Sequence, residues 1–592
     1  MTLSRLKIPG GLQADLTTYA TGPRWETGNR VRFKQGQPEP IGGFESYSTY
    51  DAELGTPSAV MVWRDLSEND LMAIGTEKRL HIIKDGISYD VTPVSSTANL
   101  TNAFAVASGD ATVTVTDSSH GAVVGDYIVI SGSAAVGGIT PNGTFVVATV
   151  TDDNTYTFEF TSNASSTVSS GGGGSIVIKY LLATGTNKPT AGLGWGADTW
   201  GSETWGTAAS TSDITLDADS WSLDVWGEDL IACRNNGKIY AWDASSGVNT
   251  RAAVLSNAPT TNRWIQVSLP DRHLISFGAH DGSNSDPLNI RWSTQENNNT
   301  WAASATNTAG DQRLHLGDRL IASSRSRGQI LVWTNEGMFG MVFSGDPFTF
   351  TFRHLASGCA PISRNSIVEQ DGITYWMGED NFHIFSGREQ LLPSPVRDTV
   401  YEDLNPDYFP LVTCGTNRRF SEVWWHYTSK SSTDFPDKYV TYNWVTQEWA
   451  LGSLGRVIWQ DATGWQKFPF AFDSSGKFYY HEKGLNADGS ALDWSIESGS
   501  LEIPEAGEKM FHVDRLIPDV EEQTGDVTFT MYYKKWPNGS ESNKSATITS
   551  STTKLNKRVR GRQLRLKYSS DATNSFAKIG DLRLDWREDG SR

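Results

Sequence analysis

Apolar and polar residues alternate along this chain in runs of five to eight, bounded by Gly, Asn, Asp and Ser, and helical periodicity is almost absent. Such a pattern predicts antiparallel β-strands joined by tight turns. One short unit returns at a fixed interval. Gly227-Glu228-Asp229-Leu230-Ile231-Ala232 runs on to Gly237-Lys238-Ile239-Tyr240 and Trp242. Gly317-Asp318-Arg319-Leu320-Ile321-Ala322 runs on to Gly328, Ile330 and Trp333, and Asp271-Arg272-His273-Leu274-Ile275-Ser276 leads to Ile290 and Trp292. Leu230, Leu274 and Leu320 thus recur about every 45 residues, a period expected of propeller blades or another repeat architecture. Each copy reads as a strand, a turn and a second strand ending in Trp. Asp85-Gly86-Ile87-Ser88-Tyr89 and Asp371-Gly372-Ile373-Thr374-Tyr375 are near copies of a turn and strand start, and Gly476-Lys477-Phe478-Tyr479 echoes Gly237-Lys238-Ile239-Tyr240. The repetition spans roughly residues 57 to 490, and radial blades suit it because they bury one another's faces and leave few open edges.

Two blocks depart from the period. Residues 98–180 are rich in Thr, Val, Ser and Gly and read as a small β-barrel or sandwich inserted into the first blade, with Gly171 to Gly174 closing it like a flexible linker. After residue 495, Val527-Thr528-Phe529-Thr530-Met531-Tyr532-Tyr533 and Arg562-Gln563-Leu564-Arg565-Leu566-Lys567-Tyr568 read as strands of a closing β-sandwich. The expected fold is therefore all-β: an irregular β-propeller with an inserted small β module and a C-terminal sandwich-like region. The expected boundaries are 1–56 for a segment leading into the propeller, 57–97 and 181–494 for the propeller, 98–180 for the insert and 495–592 for the C-terminal region.

Composition narrows this picture. With 592 residues, more than one core is expected, and 38% hydrophobic content excludes disorder as the dominant state. The 22 Trp and 56 Gly fit short strands and tight turns, with carbohydrate binding as the competing reason for so many Trp. A net charge of −18 argues against a surface built to grip DNA phosphates, though not against one that DNA slides past. Cys233, Cys359 and Cys414 are odd in number and widely spaced, so no disulfide framework is implied. No apolar run follows Met1-Thr2-Leu3-Ser4-Arg5-Leu6-Lys7, so no secretory signal is expected, and no stretch of eighteen apolar residues predicts a membrane helix.

Candidate chemistry is sparse. The sequence holds no G-x-S-x-G elbow, no H-E-x-x-H, no C-x-x-C and no phosphate-binding G-x-x-x-x-G-K-[ST] loop. Gly192, Gly194 and Gly196 have the wrong spacing for a dinucleotide fingerprint. Glu379, Asp380 and Asp271 could supply the carboxyl pair of a glycosidase, yet their ordinary reading is solvated turn residues. Ser293 to Trp301 faintly resembles the Asp-box turn of sialidase blades, with Gln295 at the Asp position and Asn297 at the Gly position. The basic run Lys554, Lys557, Arg558, Arg560, Arg562, Arg565 and Lys567 would fall on both faces of a strand, which suits an ion-paired interface with an acidic partner better than a phosphate stripe. No catalytic, cofactor-binding or metal-ligating residue is therefore assigned.

Two segments carry a resemblance. Gly28-Asn29-Arg30-Val31-Arg32-Phe33-Lys34-Gln35-Gly36-Gln37-Pro38-Glu39-Pro40-Ile41-Gly42-Gly43-Phe44 resembles an opening segment of tail proteins of short-tailed phages, where N-x-V-R-F-x-x-G precedes a Gly-Gly-aromatic turn. Arg560-Gly561-Arg562-Gln563-Leu564-Arg565-Leu566 through Ile579-Gly580-Asp581-Leu582-Arg583-Leu584-Asp585-Trp586 is similar to the close of such proteins. The His-Gly-x-x-x-Gly-Asp-x-Ile pattern at His120 to Ile128 is similar to a β module of phage structural proteins, itself likened to a β-domain of ubiquitin-activating enzymes. The family is the tail nozzle, also called tail tubular protein B or head–tail stabilisation protein. The resemblance implies a homohexameric ring in the virion tail, below portal and adaptor, that retains packaged DNA and opens for ejection. Its implied partners are the adaptor ring, tail fibres and the genomic DNA in the lumen; it implies no cofactor, no membrane insertion and no enzymatic activity. The alternative is a receptor-binding or glycan-degrading tail protein that stacks sugars on the Trp-rich loop around Trp195, Trp200 and Trp205.

Overall fold

The structure, a computed structural model, describes residues 2–47, 54–183, 185–191, 215–216, 218–269, 271–280, 286–345, 348–464, 466–503 and 509–590. The chain is all-β; the described residues hold two short α-helices, Thr18–Thr21 and Arg397–Asp403. No helix among them is long and apolar enough to cross a membrane. Two compact units are formed, one from Met1–Pro57, Lys188–Ala218 and Arg313–Arg592, the other from Ser58–Asn187 and Asp219–Gln312.

The second unit carries three four-stranded antiparallel meanders with their strands in chain order. They begin at Pro57–Arg64, Trp221–Trp226 and Trp264–Val267. Trp221–Trp226 lies against both Asp70–Thr76 of the preceding meander and Trp264–Val267 of the following one, the radial succession of propeller blades. Trp63, Trp221 and Trp242 fill the space between the first two, and Trp63 meets Trp242 edge to face at 6.4 Å.

The insert is an eight-stranded sheet, running from Val94–Leu100 through Ile176–Leu181 and Tyr127–Ser131 to Phe104–Val106 and Val168–Gly171. It has its own core of Phe104, Val113, Val115, Ile128, Ile130, Tyr156, Phe158 and Ile178. His120 is a turn staple, its Nδ1 accepting from the Ala122 N–H at 3.0 Å. The glycine run is not a loose linker. Asn102 N–H donates to the Gly173 carbonyl (2.8 Å) and Ala134 N–H to the Gly172 carbonyl (2.8 Å). Glycine is required there by close approach, since a Cβ on Gly172 would stand 2.7 Å from the Phe104 ring.

The first unit carries four more meanders. Their leading strands, Leu320–Ser326, Ile367–Gln370, Thr413–Asn417 and Ile458–Gln460, touch one another in that order. The last is completed from the far end of the sequence. Ile458–Gln460, Phe470–Phe472 and Phe478–His481 are joined by Phe44–Ser46, with Phe44 opposite His481. The repeat read from the sequence does not keep one strand position. Leu230 and Leu274 lie on second strands of their meanders, whereas Leu320 opens the first strand of its own. A strand–turn–strand pattern ending in Trp describes any neighbouring pair within a meander, so its period does not fix the blade boundary.

The C-terminal region forms two facing sheets. Gln563–Ser570 is central to one, between Trp494–Ser498 and Val527–Lys534, and Trp25–Asn29 extends it beyond Trp494–Ser498. Leu582–Glu588 is central to the other, between Thr2–Leu6 and Phe511–Ile517. Trp25, Trp494, Phe511, Phe529, Leu566, Tyr568 and Leu584 belong to one shared core, the sandwich expected from the alternation.

Candidate functional site

The segment that carries the resemblance builds a buried charged cluster in the first unit. Val31–Lys34 and Gln37–Pro40 pair as a hairpin whose turn residues Gln35 and Gly36 both have positive φ (54° and 80°), the geometry a two-residue turn demands. Alternation then turns Arg32 and its cross-strand neighbour Glu39 to the same face. The Arg32 guanidinium donates through Nε and Nη2 to Glu422 (2.9 and 3.1 Å), and through Nη1 to Glu482 at 2.8 Å, with Nη2 also on Glu482. Glu422 further accepts from Trp424 Nε1 (3.0 Å), and Glu482 from Asn417 Nδ2 and the Gly42 N–H (3.1 Å each). The Phe420 ring covers the guanidinium at 3.6 Å.

All three charged side chains keep 3–5% of their surface. One buried guanidinium therefore faces two buried carboxylates. Burial, with the neighbouring Glu482 charge adding to it, pushes Glu422 up to about 7 although Arg32 opposes the shift. Burial alone would lower the Arg32 pKa; the two carboxylates outweigh it and raise it. The following Gly42-Gly43 turn is forced by packing: a Cβ on Gly43 would stand 2.5 Å from the Asn486 carbonyl oxygen.

Beside this cluster a cavity of about 430 Å³ opens to solvent, with Glu39, Glu482, Phe420 and Phe576 among its walls and Lys34, Arg419 and Glu522 also lining it. Glu39 is 4% exposed. Burial raises its pKa, Lys34, Arg32 and Lys578 pull it down, and Glu522 pushes it up.

A second buried group joins the completed meander to its neighbour. Trp424 stacks on Trp459 at 4.9 Å and on Tyr439 at 4.6 Å. Arg456 lies between the Phe44 and Tyr479 rings (4.7 and 4.5 Å) and donates through Nε to His481 Nε2 at 2.9 Å. His481 accepts that bond as a neutral imidazole, and burial pushes both it and His426 down, His426 to about 3. This is packing: among the described residues the rings bond the Leu454 carbonyl and Arg456, and no hydroxyl or thiol nucleophile.

The carboxylates singled out from the sequence lie in ordinary surroundings. Glu379 and Asp380 are exposed in the turn after Ile373–Met377. Asp271 is buried and accepts from Ser268 Oγ while facing His273 Nδ1 at 3.2 Å; His273 Nε2 reaches Thr308 Oγ1 at 3.2 Å. The Ser293–Trp301 stretch does close as a turn, Thr294 N–H bonding the Thr300 carbonyl (2.8 Å) over a buried Trp301. Most of the basic run is engaged within the chain. Arg565 holds Glu497 and Glu541 (2.5 and 2.8 Å), Arg560 holds Asp589 (2.5 Å), Arg558 faces Asp514 (3.6 Å), and Arg562 lies 4.1 Å over Trp536. These contacts pair part of the run within the chain, while the Arg558 side chain stays largely exposed. Trp195, Trp200 and Trp205 lie outside the described residues. No cluster of three or more His, Cys, Asp or Glu suited to a metal occurs among the described residues.

No family model matches the sequence, and no curated protein matches it. Among solved structures the chain is similar to the endosialidase of phage phi92, at 10% identity over 72% of this chain and 64% of that one, with a TM-score of 0.19. It is also similar to apo AztD from Citrobacter koseri (10% identity, 70% and 94% coverage, TM-score 0.28). A third is the extracellular domain of the hybrid two-component system BT3049 from B. thetaiotaomicron (10% identity, 96% and 77% coverage, TM-score 0.25). Likeness at this level carries no function to the present chain.

Proposed function

We propose that this chain is the repeating subunit of a tail nozzle in a short-tailed bacteriophage, a homohexameric ring that extends the DNA channel, retains the packaged genome and opens for ejection. The observation that supports this reading is the work done by the resembling segments. Arg32 of the N-x-V-R-F-x-x-G stretch is the guanidinium bracketed by Glu422 and Glu482, and the aromatic residue after Gly42-Gly43 starts the strand that completes a blade. The closing stretch supplies Leu582–Glu588, whose Trp586 donates through Nε1 to Ser4 Oγ at 3.0 Å. Both patterns are thus structural requirements of this architecture, which is what a shared family would preserve.

The physical logic of the ring follows. Identical subunits close head to tail through a heterologous interface. A chain carrying −18 lines its lumen with like charge for DNA, so phosphates pass without sticking. Its partners are the adaptor ring above it, tail fibres beside it and the genome inside it; it inserts in no membrane and performs no catalysis. Cryo-electron microscopy of particles containing the chain tests this. Six copies around an axial channel at the tail end are expected; peripheral trimers, or a strongly basic lumen, would overturn the reading.

A further inference from the structure

The cavity beside Arg32 contains a carboxylate that no hydrogen bond or close ion pair holds among the described residues. A carboxylate with so little contact to water is ordinarily paired or hydrogen-bonded. Glu39 is 4% exposed and receives neither a hydrogen bond nor an ion pair among the described residues. Its strand neighbour Arg32 cannot serve it, since that guanidinium is already shared between Glu422 and Glu482. The remaining charges near it are Lys34, Lys578 and Glu522. Lys34 and Glu522 are exposed, so solvent screens them. The Glu39 side chain lines a solvent-open cavity of about 430 Å³, with the Phe420 and Phe576 rings on its walls. The Phe420 ring is already engaged by Arg32 and Arg419, which leaves Phe576. A carboxylate on the wall of such a cavity beside that ring is an arrangement that recognises a compact organic cation, by charge-assisted hydrogen bonds at the carboxylate and apolar or cation–π contact at the ring.

We propose that this cavity is a binding site for an alkylguanidinium or alkylammonium group, with Glu39 as its anchor. Rim residues Lys34 and Arg419 disfavour polycations, so the site takes one cationic head on an apolar stem. That head belongs either to a free small molecule or to a Lys or Arg side chain of a second copy of this chain. The inference holds whether or not the chain forms a nozzle.

The test titrates the full chain with n-butylguanidinium and n-butylammonium chloride by calorimetry, with the neutral analogue butyramide as control. Saturable binding of at least one cation and none of butyramide is expected. Glu39→Gln should weaken binding at least tenfold. Val445→Trp, at an exposed position on the cavity wall, should block entry without touching the buried cluster. Should Glu39→Gln fail to fold, the Val445→Trp protein decides alone. Binding that persists in the single chain but vanishes on self-assembly identifies a side chain of another copy as the occupant; binding that persists in both identifies a free molecule. Absence of saturable cation binding, or undiminished binding in either folded variant, would overturn the proposal.

Discussion

Arg32 stands where two distant stretches of sequence converge, and its removal has a definite sign. Arg32→Met would leave Glu422 and Glu482 buried without their cation, an error that costs about 3–5 kcal/mol when one partner of a buried pair is removed. Urea denaturation should therefore show a midpoint well below wild type, and a variant of unchanged stability would contradict the role given to the cluster. The segment holding Arg32 stood out in the sequence through its resemblance to the phage opening segment, not through any local sign of its charge pairing. The partners of Arg32 were not legible, because they lie 390 and 450 residues away and look locally like any strand or turn glutamate. Glu39 was equally hidden: only the finished cavity shows that no hydrogen bond or close ion pair holds it among the described residues. Thiol chemistry gives a second expectation at this scale. Cys233 and Cys359 are buried and Cys414 half-buried, none is joined in a disulfide among the described residues, and burial pushes Cys359 up to about 12. The native protein should react with Ellman's reagent far more slowly than the urea-unfolded chain, which should release three equivalents.

Among the elements, the insert is the one built to be separable. Val94 and Leu181 are direct cross-strand partners, so the ends of the module leave its host side by side, and its core is its own. Replacing residues 95–180 by a short Gly-Ser turn should leave the remaining chain folded, and the excised module should melt cooperatively alone; circular dichroism of both pieces checks this. Its different texture was plain in the sequence, but its glycine run was misread, since composition reports freedom and only packing reports need. The hairpin of Gly337–Gly345 and Thr349–Ser357 is the second element of interest. Phe343 and Phe348 are 40% and 76% exposed near its turn, which makes it the gate segment to test under the nozzle reading. Phe343→Ser with Phe348→Ser should leave assembly intact and lower the temperature or pressure at which particles release DNA; unchanged release would remove this hairpin from the gate.

Across the whole molecule, buried imidazoles set the response to acid. His81 is pushed down to about 4 and His426 to about 3, both by burial. A folded-state pKa below the unfolded value means that the stability contributed is complete above about pH 6.5 and is lost as pH falls toward the folded value. Glu422, pushed up to about 7, runs the other way: its contribution is complete below the unfolded value and is lost as pH rises through 7. The two kinds of group are separated by comparing His426→Gln with wild type. The variant's stability relative to wild type should rise by about 1.4 kcal/mol per pH unit between 6.5 and 5, and a flat difference would show that His426 is not held neutral. The all-β class and propeller repetition were readable from alternation and period, whereas the strand assignment within blades was not, because a local pattern carries no record of which strand leads.

The blade completed by Phe44–Ser46 also orders events at the ribosome. That strand emerges early, yet its partner Phe478–His481 is translated more than 400 residues later. At roughly 5–20 residues per second, the segment waits on the order of 20 to 90 seconds with its backbone unpaired. Thr2–Leu6 waits longer still, for Leu582–Glu588. Nascent chains stalled before residue 478 should therefore expose both strands to protease and to chaperones, and synthesis of residues 478–588, not of the first strands, marks when this part of the protein can fold.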